Sequence, residues 1–116
     1  MKPDDLEQML IDTFEVNPKY TENHVFKVRD LKILQLRDAL VQIGQIIREN
    51  LEHKEYVATI GAGFLKSNIA YLALRLENNK LYISINAKEG LINQHTCKGA
   101  INELKRKLGE FIEAEE

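Results

Sequence analysis

Residues 71–86 constrain the fold more than any other stretch of this 116-residue chain. Leu72, Leu74 and Leu76 alternate with Tyr71, Ala73 and Arg75, and beyond Asn78-Asn79 the residues Leu81, Ile83 and Ile85 alternate with Tyr82, Ser84 and Asn86. A period of two marks half-buried strands. Asparagine tolerates positive φ, so a two-residue turn at Asn78-Asn79 closes a hairpin that sets Glu77 opposite Lys80, Leu76 opposite Leu81, Leu74 opposite Ile83 and Leu72 opposite Ile85. Every large aliphatic side chain then falls on one face, which needs cover. An earlier strand, about Tyr56 to Phe64, is expected to pair with residues 69–76 through a turn near Lys66-Ser67-Asn68, with Gly61 and Gly63 marking a bulge or bend.

Cover is available from helices on either side of this hairpin. Pro3 and the acidic pair Asp4-Asp5 suit a helix start, Leu6, Met9, Leu10 and Phe14 recur at helical spacing, and Asn17-Pro18 stops the run. This gives an acidic N-terminal helix within residues 1–16. Residues 17–24 read as a linker, and Val25-Phe26-Lys27-Val28 as either a short extended strand, the reading favoured, or the lead into the next helix. With Asp30 as N-cap, a long central helix is expected from Leu31 to about Leu51. Ile33, Leu36, Ala39, Leu40, Ile43, Ile46, Ile47 and Leu51 would fill an arc of about 160° on it, with Leu34 and Val41 as a second stripe behind. Gly44 would interrupt this helix at a cost of about 1 kcal/mol, a cost that close approach of another backbone would explain. A C-terminal helix begins between Gln94 and Cys97, capped by Asn93 or Thr96, and Cys97, Ile101, Leu104, Leu108, Phe111 and Ile112 form its narrow apolar stripe.

The expected architecture is therefore one α+β domain over residues 1–116: an antiparallel meander of three or four strands with the central and C-terminal helices on one face, plus a short N-terminal helix. Two helices side by side span about 20 Å, whereas three strands span only about 14 Å. Something must widen the sheet: the 25–28 segment as a strand, an edge strand shared with a second subunit, or the central helix packed on its symmetry mate. Together with the surplus stripe, this points to self-association as a dimer or higher oligomer, with Leu34, Val41 and Gly44 at the contact.

The totals narrow the functional classes. A net charge of −2, with an acidic first segment and no strongly basic block, lacks the cationic excess of a duplex-DNA binder. The opening residues contain no long apolar run and read as neither a signal peptide nor a membrane span, and a single cysteine fits a reducing, cytoplasmic setting. His95-Thr96-Cys97 lies near a helix start, where a thiol is activated, yet Cys97 is in phase with the apolar stripe and reads as a core residue. The three histidines and one cysteine show no metal-ligand spacing, and no acid pair suits proton transfer, so no metal, cofactor or catalytic residue is expected. Gly61-Ala62-Gly63 leads into a further strand, not the helix that a phosphate loop requires.

Two functional readings follow. The first is a non-catalytic, homo-oligomeric binding or regulatory module whose partner is a protein or a small ligand at a subunit boundary. The second is a binder of single-stranded nucleic acid or nucleotides that uses the other face of the hairpin, where Tyr71, Arg75, Tyr82 and Asn86, with Lys88 nearby, would offer rings to bases and cations to phosphates. Cross-strand Tyr/Arg pairs also stabilise sheets with no ligand bound.

Overall fold

The computed structural model describes residues 3–62, 68–88 and 95–113. Its elements are α1 (Pro3–Phe14), β1 (Thr21–Lys27), α2 (Ile33–Ile43), β2 (Gly44–Asn50), β3 (Glu55–Ala62), β4 (Asn68–Glu77), β5 (Lys80–Asn86) and α3 (Thr96–Leu108). The class is α+β, and the sheet has five strands in the order β1-β5-β4-β3-β2, every neighbouring pair antiparallel.

The β4–β5 hairpin has the register that its alternation requires, with Glu77 opposite Lys80, Leu74 opposite Ile83 and Leu72 opposite Ile85. Asn78 and Asn79 adopt φ of 52° and 60°, the pair of left-handed residues that a tight hairpin matched to strand twist demands. Its aliphatic face is sealed by α2 and α3: Leu36 and Leu40 of one helix and Ile101, Leu104 and Leu108 of the other pack with Leu72, Leu74, Leu81, Ile83 and Ile85 in one core.

Four sequence expectations change. The central helix ends at Ile43, eight residues short of Leu51, because Gly44 takes an extended conformation (φ −165°, ψ −150°) and Gly44–Asn50 pairs with β3. Ile46 and Ile47, β-branched and suited to strands, had satisfied the helical period equally well. The helix start also moves: Asp30 lies at φ 56°, outside the helix, and Lys32 caps it, its backbone N–H donating to the Gln35 side chain at 2.8 Å. Residues 17–24 are no linker, since Pro18–Tyr20 form a 3₁₀ turn capped by the Asn17 side chain and Thr21 opens a seven-residue strand against β5. No bulge occurs at Gly61, which pairs regularly with Ile69; the register shift lies instead in β2, between Ile46 and Arg48. Gly63, Phe64, Lys66, Ser67, Asn93 and Gln94 lie outside the described residues.

The N-terminal helix packs on the opposite sheet face. Leu6 and Leu10 are fully buried with Val57 and Ala73, and Met9, Phe14, Val16, Tyr71 and Tyr82 border this second, smaller core. At the same spacing of about 4.8 Å per strand, five strands span about 24 Å, enough to seat α2 and α3 side by side. One edge of the sheet is partly covered by the chain itself: Val28 bridges Ile112, the Arg29 N–H donates to the Phe111 carbonyl at 2.8 Å, and the Glu113 N–H donates to that of Lys27 at 3.0 Å. At the other edge, no described residue pairs with the outer side of β2.

Candidate functional site

The face of Tyr71, Arg75, Tyr82 and Asn86 is not an open platform. Helix α1 lies across β4 and β5, so both tyrosines are half-buried beneath it, and the Phe14 and Tyr71 rings sit 4.6 Å apart at 47°. Arg75 is spent on Glu55: its Nε donates to Oε2 at 2.6 Å and its terminal nitrogen reaches the same oxygen, with the carboxylate nearly enclosed. Asn86 is buried, its amide donating to the Asn17 carbonyl at 2.8 Å and to Thr21 Oγ1 at 2.9 Å, which ties β5 to the start of β1. Only Lys88 remains exposed, beyond the end of β5. Tyr71, Tyr82 and Asn86 therefore serve the packing of α1 and β1, and Arg75 ties β4 to β3. Periodicity along one strand carries no information about a helix sixty residues away that will cover it.

The oligomer residues fare differently. Leu34 and Val41 stand seven residues apart on the side of α2 opposite its buried face of Leu36, Ala39 and Leu40, and they are 53% and 59% exposed. Ile47 of β2, at 42%, and Leu51, at 49%, are also uncovered. Gly44 has a reason internal to the chain: an added Cβ would lie 2.0 Å from the Thr59 carbonyl oxygen, so the residue is small to admit β3 and not another subunit. The close approach of a backbone that this glycine implied is thus met within one chain, and Gly44 stays exposed at the end of the same flank.

Between α2 and the β2 edge runs a cleft of about 450 Å³ lined by Arg37, Val41, Gly44, Gln45, Ile46, Ile47, Arg48 and Glu49. Its end is fixed by polar groups that periodicity did not reveal. Arg37 Nε lies 3.6 Å from a Glu49 carboxylate oxygen, and the fully buried Tyr56, opposite Glu49 across the ladder, donates its hydroxyl to the Ile33 carbonyl at 3.1 Å. Burial first, and the Glu49 charge second, push the Tyr56 phenol up to about 12. A phenol this hard to ionise is a structural donor, not a general base at neutral pH. The signal that would have exposed this site is the glycine at 44 with two β-branched residues, Ile46 and Ile47, just beyond Gln45, a strand opening hidden in a helical period.

Cys97 is buried on the inward side of α3, within the main core. Among the described residues, no three His, Cys, Asp or Glu side chains converge as a metal set, and no helix is long and apolar enough to cross a membrane. Compared with protein families, curated proteins and solved structures, the chain matches none, so its reading rests on its own residues.

Proposed function

We propose that this protein is a non-catalytic, homo-oligomeric binding or regulatory module that self-associates through the outer side of α2 and the adjoining β2 edge, with a protein or small ligand held at the subunit boundary. One observation carries the reading: Leu34, Val41 and Ile47, three large aliphatic side chains, are exposed together beside a strand edge that no described residue pairs, whereas the exposed Val25 and Ile69 stand apart on β1 and β4. Apolar residues scattered singly are ordinary on a surface, but a group beside an unpaired strand edge marks an interaction surface. The cleft between α2 and β2 lies on this flank and would open onto the boundary. The covering of Tyr71 and Tyr82 by α1 removes support from base stacking on the sheet.

Val41→Asp tests the reading, because a charge on this stripe opposes association while leaving the fold almost unaffected. The side chain is mostly exposed, so stability is expected to change by less than about 0.5 kcal/mol. The variant should elute from size exclusion as the smaller species while the parent elutes earlier. Identical elution of both proteins as monomers would refute it.

A further inference from the structure

Building on the reading of self-association, we infer that the partner on this flank is a second copy of the chain, related by a two-fold axis perpendicular to the sheet that runs past Ile47, so that β2 pairs antiparallel with β2 and α2 packs antiparallel on α2. A single operator covers both features the chain leaves open, the β2 edge and the Leu34/Val41 stripe.

The levels of the two features agree. Strand β2 runs back along α2, as the Arg37 to Glu49 ion pair and the Tyr56 to Ile33 hydrogen bond require. At 1.5 Å per helical residue, the midpoint of Leu34 and Val41 lies about 10 Å before the reversal at Gly44. At 3.3 Å per strand residue, Ile47 lies about 10 Å after it. One axis can therefore pass both centres and set Leu34 of each copy against Val41 of the other.

The lateral spacing agrees as well. Helix α2 packs over β2 and β3, which puts its axis about half a strand spacing inside β2. A two-fold axis half a spacing outside β2 then separates the two α2 helices by about 9.6 Å, within the 8–10 Å at which helices pack.

Charge selects among registers. Centred on Ile47, the pairing sets Glu49 against Gln45 and Arg48 against Ile46, whereas a centre at Arg48 or Glu49 would place that charge against itself. The bulge beside Ile47 twists the edge and limits the strand contribution to a few residues, so the helix stripe supplies the remainder.

Cysteine cross-linking tests the operator, because a residue on the axis meets itself. Under mild oxidation, Ile47→Cys should form a disulfide-linked dimer roughly tenfold faster than Val25→Cys, which is at least as exposed but on β1, since only the paired edge brings Cα atoms within about 4.4–6.8 Å. The parent protein, with Cys97 buried, is the baseline. As a second readout, Leu34→Cys and Val41→Cys proteins mixed together should give mixed dimers in preference to either homodimer. If Ile47→Cys links no faster than Val25→Cys, and the mixed pair shows no preference, while light scattering still reports a dimer, the operator is wrong and self-association stands. If light scattering reports a monomer throughout, both fall.

Discussion

A methyl group added at Gly44 would sit 2.0 Å from the Thr59 carbonyl oxygen, and the atom it meets is backbone, which cannot swing aside. Gly44→Ala should therefore detach the start of β2 from β3 and destabilise the fold by about 3 kcal/mol or more, read from the midpoint of chemical unfolding. Tyr56 sets a pH dependence. Its phenol is raised from 10.0 to about 12, so the folded state holds its proton more tightly than the unfolded chain. That stability is complete below pH 10 and is lost as pH climbs from 10 towards 12, amounting to about 2–3 kcal/mol in this window. Tyr56→Phe should flatten the alkaline decline, at a cost near neutrality of about 1 kcal/mol for the missing bond to Ile33. An alkaline unfolding series on both proteins measures the difference. At the other sheet face, Glu55→Gln leaves Arg75 without its counter-charge in a mostly buried position, and thermal unfolding should show a loss of about 1–3 kcal/mol.

Among the elements, the β4–β5 hairpin shows what local pattern can specify. Its period, its turn residues and its register all follow from nearest neighbours in the chain, and each agrees with the structure. The boundary between α2 and β2 was not legible in the same way. Ile43, Ile46 and Ile47 fit a helical stripe, and what divides them is the ladder with β3, a tertiary contact that overrides local period. The position of α1 was equally hidden: its apolar stripe asked for a cover without naming a face, and the small Ala73 beside Val57 on β4 and β3 makes the seat for Leu6 and Leu10. That choice of face turns Tyr71, Arg75, Tyr82 and Asn86 from a candidate ligand surface into a packed layer. Leu10→Ala should cost about 2–4 kcal/mol because its side chain is wholly enclosed, and amide exchange in α1 should accelerate well before that in β4 or β5.

On the scale of the whole molecule, the sheet supplies its own width. The shortage of strands that had called for a second subunit is met within the chain by β1 and β2, so width no longer argues for an oligomer. What argues for one is asymmetry between the sheet edges: the C-terminal segment covers part of β1, while no described residue pairs with the outer side of β2, beside the exposed Leu34, Val41 and Ile47. The flank involves one short helix and one strand, which places the interface at the small end of specific contacts, below about 1,200 Å² in total, and implies reversible association that depends on concentration. Molar mass by sedimentation equilibrium, followed over a wide range of protein concentration, reads this directly. The account requires the mass to rise from 13.4 kDa towards twice that value as the protein is concentrated; a mass fixed at 13.4 kDa up to millimolar protein would contradict it.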